Sequence, residues 1–113
     1  MKQDNYLKGK EGEEIALKFL ESKRFELIEK NYKNDIGEID LIMKDRDWLV
    51  FVEVKYKLDD SLGNPEEMIN YKKLGKIKRI ATLYLMTNHK FQHYRIDAVC
   101  ILKTTINYYQ NIG

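Results

Sequence analysis

Three charged residues stand where a chain rarely places charge. Asp40 lies within Ile36-Gly37-Glu38-Ile39-Asp40-Leu41-Ile42-Met43. Glu53 and Lys55 lie within Trp48-Leu49-Val50-Phe51-Val52-Glu53-Val54-Lys55-Tyr56-Lys57. Both runs are rich in β-branched and aromatic residues and read as strands. Withdrawing even a neutral polar group from water without a partner costs roughly 2–7 kcal/mol, and a bare charge costs more. Such a set is tolerated as an ion pair, or on a face open to water at a sheet edge. It is also tolerated where two carboxylates converge on a divalent metal with a lysine beside them.

The elements that position these residues follow from periodicity. The charged segment Lys44-Asp45-Arg46-Asp47 between the two runs makes them a β-hairpin. Strand side chains alternate, so Glu53 and Lys55 share a face with Leu49 and Phe51, opposite Val50, Val52 and Val54. Glu38 and Asp40 share a face with Ile36 and Ile42 in the same way. The unbroken apolar stretch Trp48 to Val52 marks a central strand covered on both faces.

Before the hairpin, residues from about Asp4 to Ser22 form a first helix with an Ala16, Leu17 and Leu20 stripe. Glu13 falls on that stripe, whereas Glu14 points toward water. A helix starting near Gly12 would give Glu13 another role, complementing the helix dipole. Phe25 to Lys33 reads as a strand, and Asn31 to Asp35 as a polar turn.

After the hairpin comes a loop ending in Gly63-Asn64-Pro65, with Asn64 as N-cap and Pro65 at the first helical position. A second helix is expected from there to about Thr87. It buries Leu74, Ile77, Ala81, Tyr84 and Leu85, and Gly75 within it suggests close packing. Tyr94 to Leu102 reads as the last strand. The order is α-β-β-β-α-β, an α/β fold in one domain: a small mixed sheet flanked by helices, its last two strands paired in parallel through a right-handed crossover. The sequence does not decide the structure of the tail after Lys103.

The 113-residue chain carries 43% hydrophobic and 34% charged residues, ordinary for a globular domain. Its single cysteine, Cys100, excludes an internal disulfide and reads as a small core residue. With no apolar run behind the N-terminal lysine and no stretch of membrane-spanning length, a cytoplasmic location is expected. The net charge of +2 is modest, but Lys72, Lys73, Lys76, Lys78 and Arg79 form an acid-free basic segment on the second helix. Such a segment is either a solvated helix face or a contact for a polyanion. His89 and His93 have metal-compatible spacing but no third ligand nearby, and read as surface residues.

Asp40 followed by twelve residues and Glu53-Val54-Lys55 has the form of the D…(D/E)-x-K signature of restriction-endonuclease-like nucleases. Ile39 stands where a proline is common. The fuller set comprises Gly12-Glu13, Asn31-Tyr32, Gly37-Glu38-Ile39-Asp40-Leu41-Ile42, Phe51-Val52-Glu53-Val54-Lys55, Gly63-Asn64-Pro65 and Arg95-Ile96-Asp97. Together these resemble the UPF0102 (YraN-like) family, similar to Holliday-junction resolvases, over residues 9 to 101. Departures are Lys23-Arg24-Phe25, where a glycine and a tyrosine are usual, and Tyr56-Lys57, where an arginine is usual.

The resemblance implies a metal-dependent endonuclease acting on branched or single-stranded DNA. Asp40, Glu53, the Val54 carbonyl and Glu13 would hold Mg²⁺ or Mn²⁺, and Lys55 would handle the attacking water. Lys72, Lys73, Lys76 and Arg79 would contact phosphates, which gives affinity without sequence information. Cutting both strands of a junction would call for a homodimer. Two other readings are a non-catalytic nucleic-acid-binding module of the same fold, and a protein in which the three charges form only an ion network.

Overall fold

The two apolar runs pair as an antiparallel hairpin, β2 (Glu38–Asp45) and β3 (Trp48–Lys57), joined by Arg46 and Asp47. Arg46 takes the left-handed φ of 57° that closes so short a connection. The structure is a computed structural model and describes residues 2–58, 64–88 and 90–113, with side chains from Gly9 onward. Gly63 and His89 of the sequence reading lie outside the described residues.

Around the hairpin stand α1 (Lys2–Ser22), β1 (Glu26–Lys33), α2 (Leu74–Thr87), β4 (His93–Leu102) and β5 (Thr105–Tyr109). The five strands form one sheet in the order β1-β2-β3-β4-β5, antiparallel except for the parallel pair β3–β4. β3 is central as its apolar run requires, with Leu49, Val50, Phe51 and Val52 at most 1% exposed.

Alternation along β3 divides the core. Val50 and Val52 join Leu41, Met43, Val99 and Ile101 under Ala16, Leu17 and Leu20 of α1. Leu49 and Phe51 join Ile42 and Ile96 under Leu74, Ile77, Ile80, Ala81 and Tyr84 of α2. Gly12 sets the approach of α1, because a Cβ there would stand 2.8 Å from the Tyr56 Cβ.

The structure departs from sequence expectation in five places. Helix α1 begins at Lys2 rather than near Asp4 or Gly12, so Glu13 sits well inside it and the dipole explanation lapses. The helix expected from Pro65 to Thr87 is broken: a 3-10 turn covers Pro65–Met68, and Ile69 is extended before α2 begins at Leu74. That break buries Ile69 against Ala98 and Cys100 of β4, which a continuous helix would not do. Asn64 makes no side-chain cap. Gly75 is not a packing glycine, since an added Cβ would meet nothing within 4 Å.

The fifth departure is the tail, which forms β5 after a turn at Lys103, φ 58°. Ile106 and Tyr108 pack toward the α1 side of the sheet. The chain end is tied back where Ile112 N–H donates to the Ile96 carbonyl at 2.8 Å.

Candidate active site

The pairing of β2 with β3 ends at Leu41–Val52, and the charged set lies where the two strands part. The Val54 N–H, left without a β2 carbonyl, donates instead to Asp40 Oδ2 at 2.8 Å. In an extended strand the N–H and C=O of one residue point the same way, so the Val54 carbonyl is directed into the same gap. Asp40 therefore stands in for the missing ladder acceptor while its second oxygen stays available.

Glu53 is the more deeply placed carboxylate, 5% exposed. Its Oε1 lies 3.0 Å from Lys73 Nζ and 3.5 Å from Lys55 Nζ. Its Oε2 is buried with no hydrogen-bond partner, a costly arrangement for a carboxylate oxygen. Burial, and then the Glu53 charge, push the Asp40 carboxyl up to about 7, with Glu13 adding to the rise and the Val54 N–H opposing it. A carboxyl raised in this way by its carboxylate neighbour calls for a cation.

Glu13 reaches the margin of this group from α1, where its Oε1 accepts from Asn31 Nδ2 at 3.0 Å. Asn31 falls opposite Asp40 in the β1–β2 register, between the pairs Lys30–Leu41 and Tyr32–Ile39. It adopts a left-handed φ of 52°, and its Nδ2 also lies 3.4 Å from Glu38 Oε1. Glu38 is thus tied to Asn31 at an exposed position.

Among the described residues no three of His, Cys, Asp and Glu form a group able to hold a metal by themselves. The donor set is two carboxylates and a carbonyl, one carboxylate oxygen being unpartnered. This suits a hard, water-retaining ion such as Mg²⁺ or Mn²⁺ rather than a site closed by side chains, as zinc prefers. His93 is remote from this chemistry, exposed at the opposite end of the sheet and stacked on Trp48 at 5.0 Å.

The basic segment divides. Lys72, Lys76 and Arg79 are exposed. Lys73, expected among the phosphate contacts, instead pairs with Glu53. Burial opposes its charge, and the Glu53 carboxylate more than compensates, raising its pKa above the ordinary lysine value. Sequence reasoning missed this pairing because a loop and the 3-10 turn separate Lys73 from β3, and the whole of α2 separates it from β4.

Asp97, carried by the resemblance without a role, is fully buried on the α1 side and belongs to a different network. It accepts from Arg95 Nε at 3.1 Å, from the Tyr108 hydroxyl, and from the Asn111 N–H at 2.9 Å. Arg95 Nη2 also pairs with Asp45 at 2.9 Å. This network fastens β4, β5 and the tail.

A mixed five-stranded sheet between two helices, with an aspartate on one strand and Glu-x-Lys on the next, defines a small restriction-endonuclease-like α/β domain. Comparison with known proteins gives the family. It belongs to the family described as "Uncharacterised protein family UPF0102", whose model matches residues 12–101. A UPF0102 protein of Thermodesulfovibrio yellowstonii is 39% identical over 103 residues, covering 91% of this chain and 92% of its own. UPF0102 proteins of Persephonella marina and Aliivibrio salmonicida are 36% and 40% identical, covering 95% and 88% of this chain and 93% and 84% of theirs.

Proposed function

We propose that this protein is a metal-dependent endonuclease that hydrolyses phosphodiester bonds in branched or single-stranded DNA. The observation that carries the reading is the pair Asp40 and Glu53 at the parting of β2 and β3, with a buried, unpartnered Glu53 oxygen and Lys55 alongside. A purely structural ion network would have little reason to leave that oxygen unpartnered.

In this reading Asp40, Glu53 and the Val54 carbonyl hold Mg²⁺ or Mn²⁺, with Glu13 behind them. The bound ion would lower the pKa of a coordinated water and offset phosphate charge. Asp40 stays aligned through its bond to the Val54 N–H. Lys55, held by the strand two residues from Glu53, positions the attacking water and balances the negative charge that develops on the phosphate. Lys72, Lys76 and Arg79 hold the flanking phosphates, and the backbone is recognised by shape. Two copies acting on opposite strands would cut a junction symmetrically.

The test is cleavage of labelled four-way junction, flap, single-stranded and linear duplex DNA in Mn²⁺, Mg²⁺ or EDTA. Wild type would run beside Asp40→Asn and Lys55→Met, with folding checked by circular dichroism. Metal-dependent cleavage that vanishes in both folded variants is expected. Salt-sensitive binding without cleavage in any metal would overturn the enzyme and leave a nucleic-acid-binding module.

A further inference from the structure

Beside the carboxylates lies a cavity of about 350 Å³ lined by Ile36, Gly37, Asn70, Lys72, Lys73 and Lys76. It contains three lysines and no acid. Lys73 belongs to both places: it lines the cavity, yet its Nζ is 3.0 Å from Glu53 Oε1. We propose that Lys73 is the resident counter-ion of the metal site, exchanged for the metal. A divalent ion entering between Asp40 and Glu53 displaces the Lys73 ammonium, which turns into the cavity and there binds a backbone phosphate of the nucleic acid.

Charge balance and tethering support the exchange. With the acids ionised, Asp40, Glu53 and Glu13 carry three negative charges against two positive ones on Lys55 and Lys73. A divalent ion added to this set leaves one positive charge in excess, which the departure of one lysine relieves. Lys55 stands on β3 two residues from Glu53, in the strand that fixes both. Lys73 comes from the turn before α2, half-exposed at 36%, with the cavity as an alternative seat. The shorter of the two contacts is therefore also the one free to open.

Metal and nucleic acid then favour one another. The metal frees a phosphate-binding lysine, and a phosphate in the cavity removes the cation that competes for Glu53. This inference rests on the nuclease reading for the metal, but it makes its own demand, namely that removing a positive charge at residue 73 strengthens metal binding.

The experiment is calorimetric titration of the nucleic-acid-free protein with Mn²⁺, for wild type, Lys73→Gln and Lys73→Arg. Lys73→Gln is expected to bind Mn²⁺ about tenfold or more tightly, having lost a cation a few ångströms from the ligand oxygen. Lys73→Arg, which keeps the charge, is expected to bind like wild type. Unchanged or weaker binding by folded Lys73→Gln overturns the exchange while leaving the nuclease reading intact, provided wild type binds. If no variant binds Mn²⁺, both fall together.

A second limb follows the phosphate, using a single-stranded phosphorothioate oligonucleotide, which keeps the backbone charge and resists cleavage, so that Lys55 stays in place. With residue 73 as lysine, Mn²⁺ is expected to steepen the log–log salt slope of binding by about 0.7, the contribution of one added single-strand phosphate contact. With Lys73→Gln the slope should not respond to Mn²⁺. An equal response in both proteins overturns the phosphate half.

Discussion

Replacing Asp40 by asparagine should make the protein more stable at neutral pH while removing a ligand of the proposed metal site. Burial and the neighbouring Glu53 raise the Asp40 carboxyl from 3.8 to about 7 in the folded chain. A raised acid contributes stability that is fully present below its unfolded pKa and is lost as pH climbs through the folded value. The window is therefore pH 4 to 7. At about 1.4 kcal/mol per pH unit of displacement, full loss would be about 4 kcal/mol. Asp40 is only partly buried by surface area, so solvent screening reduces this to roughly 2–3 kcal/mol.

Asparagine keeps an oxygen to accept the Val54 N–H and carries no charge. Denaturation in EDTA at pH 4, 6 and 8 should find the two proteins alike at pH 4. By pH 8 the variant should lead by roughly 2–3 kcal/mol, about 10 °C in melting temperature for a domain of this size. Mn²⁺ should then stabilise wild type by mass action and leave the variant unmoved. A variant no more stable than wild type at pH 8, or a gap that does not widen with pH, refutes the electrostatic account of the site.

Three further substitutions test the frame around it. Gly12→Ala should cost about 1–2 kcal/mol in urea denaturation, since overpacking against Tyr56 outweighs the roughly 1 kcal/mol gain in helix propensity. It should also weaken any metal response by pushing α1, and Glu13 with it, off the sheet. Gly75→Ala, whose Cβ meets open space, should instead stabilise by about 0.5–1 kcal/mol. A loss there would mean that the first turn of α2 is not the ordinary helix observed. Asp97→Ala should cost about 3–5 kcal/mol by removing the fully buried acceptor shared by Arg95, the Tyr108 hydroxyl and the Asn111 N–H, and β5 amides should then exchange faster than those of β3. Uniform loss of protection would show that Asp97 does not specifically fasten the tail.

Local pattern made the hairpin legible, because alternation and the apolar stretch through Val52 specify both the strand and its faces. It also placed Glu53 and Lys55 together, since residues two apart on a strand share a side whatever the fold. The parallel pairing of β3 and β4 followed from the intervening helix. The break at Ile69 was hidden, because Asn64, Pro65 and two glutamates are a good helix start. Only the tertiary demand to bury Ile69 against β4 ends that turn. Strand β5 left a trace in Thr105-Ile106-Asn107-Tyr108-Tyr109, too short to outweigh a polar tail. Lys73 was legible as a cation but not as a partner of Glu53, for helix periodicity reports a face and says nothing of what lies opposite.

The position of the site follows from an ordinary property of sheets. Within a ladder every N–H and C=O is occupied, so a backbone group becomes available for chemistry only where pairing stops. Here pairing of β2 with β3 stops after Val52, and the freed Val54 N–H is taken up by a side chain, Asp40. That substitution draws a carboxylate toward the interior beside Glu53, raises its pKa, and leaves the partnerless Glu53 oxygen uncompensated. The opposite faces of the same strands carry the apolar contacts that hold α1 and α2 in place. The fold can therefore support a destabilising acidic pair at the open end of its central hairpin, and the instability is what a cation would relieve. Lys73 supplies that relief from the protein itself, and the proposed exchange of Lys73 for a metal follows from the same electrostatics.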